Sequence, residues 1–259
     1  MVAVSVAGMS NVDRNQPEGT PTWIDLGIPD LDRAKGFYGA VFGWEFETGP
    51  VEAGHYTMCL LRGKPVAALT PVEPSGDYWW NVYFATDDCH RTAARIVEAG
   101  GTLVMEPMTI MSQGSMAMAV DPTGAQFGLW QGQDHVGCRL VNEPDTLIRN
   151  DLVTPDPEPA RAFYAKVFGF TLDANENFPD FMFLRRPDGH EIGGISGEPT
   201  APRSRWNTMF EVADSDATAK AAIAAGGTAT DPEDTIYARM STITDPFGTQ
   251  FVIGSQLKG

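Results

Sequence analysis

Residues 22–29 alternate in polarity, with Ile24, Leu26 and Ile28 on one side and Trp23, Asp25 and Gly27 on the other. That is the two-residue period of a strand. The period then lengthens, and Ala34, Phe37, Tyr38, Val41 and Phe42 recur at three- and four-residue spacing. They form the apolar stripe of a helix that Asp30 is placed to cap and Gly43 to end. Strand patterns return at 44–48, 56–61 and 65–70, with Arg62-Gly63-Lys64 as a hairpin turn. After a Pro-containing connector at 71–77 the same βαβββ order recurs. It comprises a strand at 78–86, a helix at 89–99 stopped by Gly100-Gly101, and strands near 102–104, 115–120 and 126–131.

The whole arrangement then repeats. Residues 25–44 (DLGIPDLDRAKGFYGAVFGW) return 126 positions on as 151–170 (DLVTPDPEPARAFYAKVFGF). Glu98-Ala-Gly-Gly-Thr102 returns as Ala224-Ala-Gly-Gly-Thr228, and Asp121-Pro-Thr-Gly124 as Asp245-Pro-Phe-Gly248. A repeat fixes the architectural unit before any fold is named. The chain therefore divides into a mobile leader (1–20), a first domain (21–133), a linker (134–146) and a second domain (147–259), with four βαβββ modules in all.

Composition narrows the partners. With 34 acidic against 18 basic side chains the net charge is −16, which repels phosphate backbones and anionic lipid. No apolar run approaches the length of a membrane span, and residues 1–8 lack the basic start of a signal peptide. Three cysteines without CxxC spacing suit a reducing compartment. Nucleic acid and membrane are thus excluded as partners, and a cytoplasmic monomer, a pseudo-dimer of its own two domains, is expected by default, with a homodimer as the alternative.

Paired βαβββ modules, the D-x-x-x-A-x-x-FY-x-x-x-FGW run that opens at Asp30, the Gly-Gly helix stop and the Asp-Pro-x-Gly turn resemble the vicinal oxygen chelate superfamily. This superfamily includes glyoxalase I, bleomycin-resistance proteins and extradiol dioxygenases. The resemblance spans residues 20–256 and implies an α+β fold of two tandem glyoxalase-like open barrels, each around a cavity. It also implies where a metal would be bound. The three ligand positions of metal-using relatives fall here on Trp23, Asn81 and Gly128, and in the second domain on Arg149, Asn207 and Val252. Indole and guanidinium have no free lone pair, and Gly and Val have no side-chain donor. No metal and no other cofactor is expected.

Candidate site residues are those on the inward faces. Asp25 and Asp151 are repeat-equivalent carboxylates that could act as general base or acid if burial raises their pKa. They could equally accept structural hydrogen bonds. Arg149, two residues from Asp151 on the same face, reads either as an anchor for a substrate oxygen or as the partner of Asp151. Asn81 and Asn207 could direct amides at a ligand, and Trp23 and Trp80 could offer flat walls, unless Trp80 lies at the contact between domains. His55, at the start of a strand, and Met118, in a Met-rich stretch, complete the set. The expected function is binding of a small, largely apolar organic molecule, with metal-free proton-transfer chemistry as isomerase, cyclase or lyase. Stoichiometric sequestration is the alternative, and a metal enzyme with non-standard ligands a third reading.

Overall fold

The computed structural model describes residues 11–257. In the first half the elements are β1 (Pro21–Ile28), α1 (Leu31–Phe42), β2 (Glu45–Thr48), β3 (Thr57–Leu61), β4 (Lys64–Pro71), β5 (Trp80–Ala85), α2 (Cys89–Glu98), β6 (Thr102–Ile110), β7 (Gly114–Val120) and β8 (Gln126–Gly132). In the second they are β9 (Leu147–Thr154), α3 (Pro157–Phe168), β10 (Thr171–Ala174), β11 (Phe181–Arg185), β12 (Glu191–Gly197), β13 (Arg205–Glu211), α4 (Ser215–Ala224), β14 (Thr228–Ala229), β15 (Glu233–Asp234), β16 (Arg239–Thr244) and β17 (Gln250–Ser255). This is the expected α+β architecture of four βαβββ modules.

Each half forms one curved, open sheet. Sheet 1 runs β2-β3-β4-β1-β5-β8-β7-β6, and sheet 2 runs β10-β11-β12-β9-β13-β17-β16-β14, with β15 paired to β16. Local chemistry produces the expected helix ends. The Asp30 carboxylate accepts from the Arg33 N–H at 3.0 Å, and Gly43 takes the left-handed φ of 68° that lets α1 stop. At α3 the corresponding Asp156 makes no capping bond, and Pro157 supplies a preset φ instead.

The repeated motifs serve the opposite half. α1 packs against α4 and α2 against α3, so one apolar cluster joins the first module to the fourth and another joins the second to the third. Each Phe of the Phe-Tyr pair seats on the other half's Gly-Gly stop: a Cβ on Gly227 would come within 2.7 Å of the Phe37 ring, and one on Gly101 within 2.9 Å of Phe163. The tyrosine beside it reaches the other half's Asp-Pro-x-Gly turn. Tyr38 donates to Asp245 at 3.0 Å, while the second oxygen of Asp245 accepts from the Phe247 and Thr249 N–H groups. Tyr164 lies correspondingly beside Asp121, whose charge adds to burial in raising the tyrosine's pKa.

One expectation is corrected by this packing. Trp80 does not wall a cavity. It is 2% exposed and packs edge-on against Tyr38, Trp44 and Phe210, because even-numbered positions of β5 face the core between the sheets; Trp206 is buried likewise and donates to Tyr164 at 2.8 Å. Within the expected leader, the Val12 N–H donates to the Arg139 carbonyl, the Gly19 N–H to Ala85 and the Asn15 side chain to Gly132; residues 1–10 lie outside the described residues.

Candidate functional site

On the free face of sheet 1, register sets Asp25 opposite Asn81 and Trp23 opposite Tyr83, with Tyr83 next to Gly128. Asp25 is 6% exposed and accepts three hydrogen bonds, from Asn81 Nδ2 (2.9 Å), Tyr83 Oη (2.8 Å) and Tyr56 Oη (3.2 Å). Trp23 Nε1 donates to Tyr56 Oη at 2.8 Å, and Gln126 to the Asn81 oxygen at 3.1 Å. Burial raises the Asp25 pKa, and the three donors only partly oppose this. Tyr83 fills the space that a side chain at 128 would take, since a Cβ there would lie 2.1 Å from its ring.

His135 closes this face. The His135 ring meets Trp23 edge-on with centroids 4.3 Å apart, and Trp130 Nε1 donates to the His135 carbonyl at 2.8 Å. Met118 is buried across from Gly128. Burial, aided by the Arg139 charge, lowers the His135 pKa to about 4. The unfolded chain then binds a proton at higher pH than the folded one, so stability falls as pH drops from about 6.5 to about 4, by about 2–3 kcal/mol. Urea denaturation at pH 7.5 and pH 4.5 is expected to show this loss in the parent, and a smaller one in His135→Phe.

Sheet 2 presents the same positions differently. Arg149 Nε donates to both oxygens of Asp151 at 2.8 Å, and Nη1 to Glu191 at 2.6 Å. Nη2 makes no hydrogen bond among the described residues. Arg149 and Asp151 are 23% and 22% exposed, and Asn207, opposite Asp151 in register, is exposed without a side-chain partner among the described residues. The guanidinium lies 5.5 and 5.6 Å from the Phe181 and Phe183 rings. Phe181 lies flat on the sheet because residue 194 is Gly, where a Cβ would meet the ring at 2.1 Å. Met209, Met240 and Val252 continue the partly exposed wall. Burial raises the Asp151 pKa against the opposing pull of Arg149.

Trp23, Asp25, Asn81 and Met118 thus gather on one face, and Arg149, Asp151 and Asn207 on the other. The former is packed shut and the latter open. His55 joins neither: it is exposed on the loop before β3 at φ 56°, and its neighbour Tyr56 makes the contact with Asp25. Tyr56, Tyr83, His135, Phe181 and Phe183 were missed by sequence reading. Strand parity alone could have placed Tyr83 and the two phenylalanines.

The residues at the three positions of each sheet do not fit a divalent cation. Trp23 offers an N–H donor, Tyr83 occupies the room beside Gly128, and Arg149 brings a positive charge to the corresponding place. Among the described residues no three His, Cys, Asp or Glu side chains gather in a metal-holding group.

The model of the Glyoxalase/Bleomycin resistance protein/Dioxygenase superfamily matches residues 20–129 and again 133–253. The chain belongs to this superfamily. It is 39% identical over 248 residues to a Mycobacterium tuberculosis protein provisionally named glyoxylase CFP32, covering 91% of this chain and 94% of that one. It is 33% identical over 257 residues to the anthracycline biosynthesis protein DnrV of Streptomyces peucetius, covering 91% and 92%. The Mn(II)-bound glyoxalase of Novosphingobium aromaticivorans shares the fold with a TM-score of 0.67 at 18% identity, over 93% of this chain and 84% of that one. No helix among the described residues is long and apolar enough to cross a membrane.

Proposed function

We propose that the chain takes a small, largely apolar secondary metabolite onto the open face of sheet 2 and moves a proton on it without a metal, as an isomerase, cyclase or lyase. One observation carries this reading: Asp151, a carboxyl group of raised pKa, stands within reach of solvent beside an Arg149 Nη2 that has no partner among the described residues. Asp25 is as buried by its surroundings but sealed, so it has no comparable access. In such a site Asp151 accepts a proton from a carbon next to a carbonyl, Arg149 donates to the oxygen on which negative charge develops, and the proton returns at a second carbon. Relatives named for anthracycline biosynthesis support a secondary-metabolite ligand.

Sequestration without turnover is the second reading. It is favoured by the bonds that both Asp151 oxygens already accept from Arg149, which leave the carboxylate committed. Incubating the full chain with a twenty-fold excess of a hydroxylated anthraquinone and following it by chromatography separates the two. Conversion of the excess supports the enzyme, saturation at one equivalent supports the binder, and neither binding nor conversion overturns both.

A further inference from the structure

We propose that Phe178 and Tyr237 form the rim of an aromatic track that admits a flat, uncharged, oxygen-bearing ring system to Arg149. This inference rests on the assignment of the ligand to sheet 2. Phe178 lies in the β10–β11 loop and Tyr237 in the β15–β16 turn, at opposite margins of the sheet in strand order. The sheet curves far enough to bring them together: their ring centroids are 6.3 Å apart at 41°, and Asn175 Nδ2 donates to the Tyr237 hydroxyl at 3.1 Å. Asn175 is itself buried, 6% exposed, and its oxygen also accepts from the Asn177 N–H at 2.9 Å. The bridge across the margins is therefore held by a fixed side chain and not by two surface groups.

What that bridge holds is apolar and exposed. Phe178 is 48% exposed, Ile236 57% and Tyr237 38%, an arrangement that costs solvation unless something covers it. The same loop leads inward to Phe181 and Phe183. The Phe178 carbonyl accepts from the Phe181 N–H at 3.0 Å, Phe181 and Phe183 meet edge-on at 5.2 Å, and both rings lie against the Arg149 guanidinium. Two ring pairs, Phe178 with Tyr237 at the rim and Phe181 with Phe183 beside Arg149, are thus linked through the backbone of one loop.

The charges select the ligand. Arg149 is matched by Asp151 and Glu191, and Arg185 by Asp173 and Glu191, so the floor carries no surplus positive charge for an anion. A carbonyl or phenolic oxygen can accept from Nη2 without disturbing the pairs, and ring faces satisfy the aromatic walls. Among the described residues the corresponding face of the first half is instead covered by His135 and Trp130.

The test is isothermal titration of the full chain with 1-hydroxyanthraquinone, comparing the parent with Phe178→Ala, Tyr237→Ala, Tyr237→Phe and Arg149→Met. The expected result is a Kd at least tenfold weaker for each alanine variant and a smaller loss for Tyr237→Phe, which keeps the ring but loses the bond from Asn175. Circular dichroism and urea curves matching the parent would show that the rim variants fold, both positions being exposed. Parent-like affinity in both alanine variants, with loss in Arg149→Met, would overturn the rim while leaving the sheet 2 site intact. Parent-like affinity in all four would overturn the site as well, and no binding of the probe by the parent would overturn the assigned ligand class.

Discussion

Replacing Phe37 by alanine is expected to destabilise the protein by about 3–5 kcal/mol, the range for truncating a buried aromatic in a core that cannot collapse around the gap. The ring is 1% exposed and sits on Gly227, where there is no side chain to move into the vacated space. Because Phe37 belongs to α1 and Gly227 to the second half, the loss should also loosen the halves from one another. Phe163→Ala, seated on Gly101, should lose a similar amount by the same mechanism. Urea unfolding checks both. If the halves were independent units, each variant would lower the stability of its own half alone and the transition would split into two; a single transition shifted as a whole is the outcome that interlocking requires.

Asp151→Asn is expected to lower turnover of an accepted substrate by about 10²–10⁴-fold, the usual contribution of a positioned general base, while Asp25→Asn leaves turnover within a few-fold of the parent. The contrast follows from access. Asp25 has three donors on its two oxygens and almost no exposure; Asp151 keeps contact with the open face of sheet 2. The pH profile supplies a second readout. Burial raises the Asp151 pKa, and the base form exists only above that value, so the acid limb of activity should fall off above the ordinary carboxylate range. Equal losses in both variants, or an acid limb at an unperturbed carboxylate value, would contradict the assignment.

The Phe-Tyr, Gly-Gly and Asp-Pro-x-Gly motifs were legible as repeats and as marks of the fold, yet their partners were not. Each motif reads locally as a helix stripe, a helix stop or a turn, and each does perform that local task. Its second task, keying into the other half, depends on how two sheets stack, and nothing in the period of one helix encodes that. Asp245 illustrates the division, with one carboxylate oxygen holding its own turn and the other accepting from Tyr38 more than two hundred residues away. Trp80 was misplaced for the same reason: β5 alternates as expected, but which of its two faces is covered by the other half is settled only by docking.

By itself, the sequence determined the element order, the helix caps, the two-fold repeat and the parity that sets Asp25 beside Asn81 and Asp151 beside Asn207, because these follow from backbone periods and short-range hydrogen bonding. Only the tertiary structure decided which face is sealed and which is open. That outcome depends on volumes meeting across strands and segments far apart in the chain: Tyr83 filling the space over Gly128, and His135 packing on Trp23 in one half. In the other, Phe181 lies over Gly194 and Arg149 is drawn into its own pair of carboxylates, with the Arg149 and Asp151 side chains left partly exposed. Equivalent positions in a repeat share backbone geometry, but their side chains differ in size and charge, and close packing turns those differences into one filled core and one candidate binding face.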